Sequence, residues 1–220
     1  MRRFRRNGAY PFRRIYMIMT VMTIDFQKTL TVLSSMYLCK PTKDVVEGWR
    51  VALFENAPDI LSGLKTALDG LDLASEQEQE DLLWEYTQLF VGPYKLPCPP
   101  WESVYTSTKR LMMQSAFEEV ADSYRREGLI LGNDGVMADH IGVELNFLAL
   151  LLQRLDENPE QRTRYADAAK KFADEHLMKW VPLFTRDLEE GAAYTFYKEL
   201  ARTTRELIEL VQNEAFGDYA

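Results

Sequence analysis

The 220-residue chain holds few side chains able to do covalent or acid–base chemistry. The candidates are two histidines (His140 and His176), two cysteines (Cys39 and Cys98) and adjacent acids such as Glu118/Glu119 and Glu189/Glu190. Two histidines are too few for a histidine-rich metal site, and without a G-x-S-x-G elbow a nucleophilic triad lacks its parts. No G-x-x-x-x-G-K-S/T, G-x-G-x-x-G or H-E-x-x-H stretch occurs. The cysteines share no close motif with each other or with a histidine, so zinc is not expected and a reducing, cytoplasmic setting is. The acid pairs suit solvated helix faces. These residues yield no catalytic residue, no metal ligand and no cofactor. Asp139-His140 differs, because it opens a strongly apolar helix where free amides and the positive helix end favour an acceptor. Its residue types alone fit either a first-turn acid beside a satisfied, partly buried ring or a binding pair.

The elements that must position these residues are helical. Phe26, Leu30, Leu33 and Tyr37 define a first helix over 24–38, stopped by Pro41. Val45, Val46, Trp49 and Leu53 define a second, and Ile60, Leu64 and Leu68 a third that ends at Gly70. Ser75 and Glu78 form a capping box that opens a helix running into Gly92-Pro93. "LFVGPYKLPCPPWESVY" (89–105) then holds four of the nine prolines. Helical spacing resumes from Thr108 to Tyr124, and "ADHIGVELNFLALLLQRL", apolar on several faces, reads as the central helix. A helix over 160–180 stopped by Pro182, then a stretch over 183–188 and another over 194–216, complete the pattern. No strand alternation, repeat or low-complexity stretch interrupts it. The fold class is all-α: a single-domain helical bundle with a proline-rich central loop.

A hydrophobic content of 46% supports one good core. The net charge of -8 argues against a nucleic-acid partner. Residues 1–22 carry six arginines and no acid, which leaves 20 basic against 34 acidic residues beyond them, a balance of -14. The apolar run Ile15–Met22 is short for a signal peptide and no small-residue cleavage site follows it. Residues 1–22 are therefore read as a basic tail or as the product of an upstream start, with 23–220 as the folded domain. No apolar run reaches the ~18 residues of a membrane span.

"LFVGPYKLPCPPWESVY" followed by "DHIGVELNFLALLL" resembles the TorD/DmsD/NarJ family of redox-enzyme maturation chaperones, and its DmsD-like members most of all. "FADEHLMKWVPLF" and "FYKELARTTREL" extend the similarity over about 26–215. The resemblance implies an all-helical, non-enzymatic cytoplasmic protein, monomeric or homodimeric, without stable membrane insertion. It also implies binding of the twin-arginine signal peptide of a molybdopterin-containing oxidoreductase, whose catalytic subunit is held back from the Tat pathway until its cofactor is inserted. The peptide-binding positions it carries over are Tyr86, Leu89, Phe90, Tyr94, Pro100, Trp101, Asp139 and His140. This sequence departs from the family at Val136-Met137, where relatives often carry Glu-Pro. Cys98 stands at a usually small, unreactive position.

A signal peptide joins a basic region to an apolar run, so its receptor needs an apolar groove bordered by acid. Leu89, Phe90, Tyr94 and Trp101 are expected to supply the first, and Asp139, Glu102 and Glu144 the second, through charge-assisted bonds to arginine. On that expectation the proline segment forms one wall and "ADHIGVEL" the other. The chain's own "RRFRR" could occupy such a groove as a mimic. The alternative is a helical cofactor- or nucleotide-binding delivery protein or enzyme, which requires a ligand site that the sequence does not display, such as a phosphate loop or clustered basic residues within the body.

Overall fold

The computed structural model describes residues 25–54, 59–93, 95–130 and 135–214. The tail expectation for residues 1–22, the boundary at 23 and Tyr94 lie outside them. Every regular element among the described residues is helical. Asp25 Oδ1 accepts from the Lys28 amide at 2.9 Å and opens α1 (Phe26–Leu38), and α2 (Lys43–Phe54) follows Pro41. A 3₁₀ turn (Asp59–Leu61) leads into α3 (Ser62–Asp69), which Gly70 ends. α4 (Glu76–Tyr86), α5 (Glu102–Thr106), α6 (Ser115–Arg126), α7 (Ile141–Glu157), α8 (Arg162–Phe172), α9 (Met178–Gly191) and α10 (Thr195–Glu214) complete the bundle.

α7 is central, as its sequence implies. Leu145, Leu148 and Leu151 are fully buried, and the helix packs between α1 and α8, while α9 packs on α10. α1 and α7 run antiparallel, because Ser34 Oγ near the end of α1 donates to the Gly142 carbonyl at 2.6 Å near the start of α7. A Cβ on Gly142 would stand 2.5 Å from Leu38 Cγ and 3.0 Å from the Ser34 carbonyl, so this close approach requires glycine. An aromatic cluster of Tyr37, Tyr86, Phe90 and Tyr197 ties α1, α4 and α10 together. Its buried hydroxyls find partners: Tyr37 with Thr204 at 2.9 Å, Tyr86 with the Tyr37 carbonyl at 3.0 Å and Tyr197 with the Leu82 carbonyl at 3.1 Å. Glu85 reaches across to accept from the Ala193 and Tyr194 amides at the head of α10.

Three local readings are corrected. Ser75 Oγ accepts from the Glu78 amide at 3.3 Å, but the Ser75 amide goes to the Asp72 carbonyl, so only half of the capping box forms. The helix expected from Thr108 begins at Ser115; Arg110 and Met113 have positive φ (49° and 56°), which breaks helical continuity and leaves Leu111 and Met112 exposed. Pro182 lies inside α9 instead of stopping a helix. It removes one backbone donor, a cost of about 3 kcal/mol. A widened π turn, Ala173–Leu177, lies immediately upstream, and burial of Trp180, Val181, Phe184 and Leu188 offsets the loss.

Gly142→Ala tests the α1–α7 contact. Alanine ordinarily favours a helix over glycine by about 1 kcal/mol, but overpacking at this approach costs more, about 1–3 kcal/mol. Thermal unfolding should show a lowered midpoint with native helicity at 25 °C, whereas a raised midpoint contradicts the packing described.

Candidate functional site

The π turn Thr87–Val91 carries α4 into the proline segment, and Gly92 ends it. Gly92 has φ 91°, a conformation open to glycine at no steric cost, and donates to the Thr87 carbonyl at 2.9 Å. Pro93, Pro97, Pro99 and Pro100 then fix φ and withhold donors, so this stretch offers mainly carbonyls. One of them meets the orphan amides at the head of α7: the Pro100 carbonyl accepts from Ile141 at 2.9 Å. In return the Asp139 carbonyl accepts from the Glu102 amide at 2.9 Å, with Trp101 and His140 paired antiparallel between them.

Side chains complete this clasp. Asp139 Oδ2 accepts from the Ser103 amide at 3.0 Å, so the aspartate caps α5 across space instead of sitting in the first turn of α7. His140 is the N-cap of α7; its Nδ1 accepts from the Gly142 amide at 3.1 Å, which places the neutral-state proton on Nε2. Burial lowers the His140 pKa from 6.5 to about 4, consistent with an acceptor that must stay unprotonated. The Trp101 ring meets the His140 ring edge-on at 6.2 Å.

Beneath the clasp lies a buried acid network. Glu102 contacts His176 Nδ1 at 3.0 Å, and Glu144 Oε2 accepts from Trp180 Nε1 at 3.1 Å. Glu144 is 0% exposed, Asp139 1% and Glu102 2%. Burial raises the Glu144 carboxyl well above its usual range, and the neighbouring Glu102 and Asp139 charges raise it further. Glu102 is raised too, first by burial, with His176 acting in the opposite direction. Glu144 Oε1 has no donor. A protonated Glu144 carboxyl donating to Glu102 accounts for both observations.

The residues expected to form a peptide groove therefore separate. Tyr86, Leu89 and Phe90 are 5%, 1% and 4% exposed, so they are core and not groove lining. The reason is the helical phase of α4 and its π turn, which directs them at Tyr37 and Tyr197. Glu102, Asp139 and Glu144 are structural acids occupied by amides, an indole and an imidazole, not an exposed rim. Pro100 is buried with them, and His140 is a cap. Cys98 is fully buried, donates to the Leu89 carbonyl at 3.5 Å and is pushed far up in pKa, which fits a small apolar residue.

Among the described members of the set only Trp101, half-buried, also lines open space. On the outer side of the proline segment lies a groove of about 1020 Å³. Val91, Leu96, Pro97, Trp101, Val104 and Met112 supply its apolar lining, Asp187 and Glu190 on α9 its carboxylates, and Lys95, Lys109 and Arg110 its cations. Arg110 reaches Asp187 at 3.5 Å. The second wall is thus the end of α9 and the 107–113 loop, not "ADHIGVEL". Asp187 and Glu190, three apart on one helix, were legible only as a solvated face. Among the described residues no group of acids, histidines and cysteines could hold a metal ion, and no helix is long and apolar enough to cross a membrane.

The profile of a family described as nitrate reductase delta subunit matches residues 55–186. The chaperone protein TorD of Aliivibrio salmonicida is 24% identical over 155 residues, 69% of this chain and 72% of that one. The Tat proofreading chaperone DmsD of Salmonella typhi is 29% identical over 128 residues, so the chain spans 58% of that relative's length. A crystal structure from Archaeoglobus fulgidus, assigned as a redox enzyme maturation protein, superposes with a TM-score of 0.60 at 22% identity. It covers 85% of this chain and 96% of that one, a likeness of fold.

The clasp and the acid network predict two opposed pH arms. Unfolded His140 protonates near 6.5, so its contribution is full above that pH and is lost as pH falls toward 4, by about 3 kcal/mol at most. His140→Asn keeps an N-cap acceptor and should remove that loss in urea unfolding between pH 7 and 4.5. Glu144 acts oppositely: its raised folded pKa leaves stability full below about 4.5 and declining as pH rises. Glu144→Gln should raise the urea midpoint at pH 8 and change it little at pH 4.5; an unchanged midpoint at pH 8 contradicts the buried-proton assignment.

Proposed function

The chain belongs to the nitrate reductase delta subunit family, and from that premise we propose that it is a cytoplasmic maturation chaperone for a molybdopterin-containing oxidoreductase. It binds the twin-arginine signal peptide of the catalytic subunit, assists cofactor insertion and withholds the subunit from the Tat pathway until it has folded. The relatives named TorD and DmsD are chaperones and not enzymes, which supports a binding role.

The observation that carries the reading is the open groove beside the proline segment. Its apolar lining matches a leader's apolar run, and the flexible Met112 thioether adapts to different sequences. The prolines pre-set the wall, so little chain entropy is lost on binding. The basic region of the leader meets Glu190 and Asp187. Arg110 and Arg186, which pair with Asp187 at 3.5 and 3.2 Å, are both more than half exposed, so these pairs are weak and a leader arginine displaces them at small cost. The -14 balance beyond residue 22 speeds the encounter.

One observation favours a second reading. Lys95, Lys109 and Arg110 line the same groove, which is the clustered basic set that a phosphate-bearing cofactor or nucleotide would need.

Titration calorimetry with a synthetic twin-arginine leader separates the two. The leader reading predicts binding that weakens with salt, that falls about thirtyfold in Trp101→Ala by analogy with buried aromatic anchors, and that falls less in Met112→Ala and Glu190→Gln, with helicity retained throughout. Heat from a nucleoside triphosphate and none from millimolar leader favours the delivery-protein reading and overturns the first.

A further inference from the structure

The chain carries a segment with the chemistry of the ligand proposed for its groove. Arg13-Arg14 runs directly into Ile15-Tyr16-Met17-Ile18-Met19-Thr20-Val21-Met22, a cationic pair followed by an apolar run. Resting on the leader-binding reading, we infer that residues 13–22 dock in the groove of their own chain and compete with the leader. The apolar run lies against Val91, Leu96, Trp101 and Met112, and the arginines lie toward Asp187 and Glu190.

Overall charge, apolar surface and reach favour this occupant, with the arginine pair received at the Asp187 and Glu190 end, away from the cations Lys95 and Lys109 in the same lining. Residues 1–22 carry six positive charges and no acid, against -14 on the remainder, so the two parts attract. Val91 is 56% exposed and Met112 38% exposed, an apolar surface whose burial against the run is favourable. The end of α1 lies beside Gly142, two residues from the Trp101–His140 pair at the base of the groove. Its first residue, Phe26, is therefore removed from the groove by about one helix length, roughly 20 Å at 1.5 Å per residue. The residues between Arg14 and Asp25 span up to about 35–40 Å when extended, so the segment reaches the groove without a partner chain. A tether of this length holds its ligand at an effective concentration of about millimolar. A segment of micromolar intrinsic affinity then occupies the groove most of the time, and a leader must displace it. The segment thereby acts as a threshold, favouring clients that bind more tightly than the chain's own arginine pair.

The test uses the full chain. A twin-arginine leader is titrated into the wild type, into Arg13→Gln/Arg14→Gln, and into Arg2→Gln/Arg3→Gln, which loses the same charge outside the docking run. The expected result is binding at least about tenfold tighter in the first variant and near wild type in the second. In parallel, Ile18→Cys with Val91→Cys, in a Cys39→Ser background that leaves only the buried Cys98, is mildly oxidised. A disulfide within one chain, suppressed by excess leader, is expected. Equal tightening in both arginine variants, no disulfide, or a disulfide only between two chains overturns self-docking while leader binding stands. Absence of leader binding in all three chains, with the disulfide formed, overturns the leader reading and leaves self-docking supported by the cross-link.

Discussion

The fold depends most on the reciprocal capping of two segments by each other. Pro100 supplies the carbonyl that the first amide of α7 needs, and Asp139 supplies the carboxylate that the first turn of α5 needs. Neither helix start is complete alone. α5, with five residues, is too short to persist without an external cap. α7 begins at a histidine whose ring must be neutral to accept. Because the two halves are nearly forty residues apart in sequence but joined through backbone and buried carboxylate, the clasp fixes how α4 and its proline extension lie across the head of the central helix. Charge-assisted bonds of this kind contribute about 1.5–3 kcal/mol each, a large fraction of the stability of a domain this size.

The clasp has an electrostatic consequence. Drawing Asp139 inward brings Glu102 and Glu144 with it, and burial in the apolar bundle raises the carboxyls of both glutamates. His176 engages Glu102 and the Trp180 indole engages Glu144, while burial and the neighbouring charges raise the Glu144 carboxyl well above its usual range. Removing one partner would strand the others, which gives this network a specifying role in the packing of α5, α7 and α9. In the proposed reading these acids only position the wall of the groove, and the leader is received by the outer face of the prolines with Trp101 and by the end of α9.

Much of this was legible in the sequence, for identifiable reasons. The helices α1, α2 and α7 carry strong periodicity, so their positions follow from the spacing around Leu30, Trp49 and Leu145. The importance of "LFVGPYKLPCPPWESVY" and Asp139-His140 was also readable, because prolines and helix-start acids have few other uses. What periodicity does not encode is which way a motif residue faces. Leu89 and Phe90 look like groove lining until the π turn rotates them into the core, and Glu102 looks like a surface acid until His176 is found against it. Pro182 reads as a stop because part of the burial that sustains α9 comes from Tyr37 and Tyr105, far away along the chain. Asp187 and Glu190 carry no local signal; only the 107–113 loop, turned by Arg110 and Met113, makes them part of a concave surface.

The central claim is that the outer face of the proline segment, and not the acid-lined clasp beneath it, is the contact surface. The most direct measurement is a photo-cross-linking map, with a twin-arginine leader carrying a photoreactive group in its apolar run and adducts located by peptide mass spectrometry. The account predicts adducts within residues 91–112 and 187–191. Adducts concentrated on residues 139–148, with the groove residues unmarked, would contradict it.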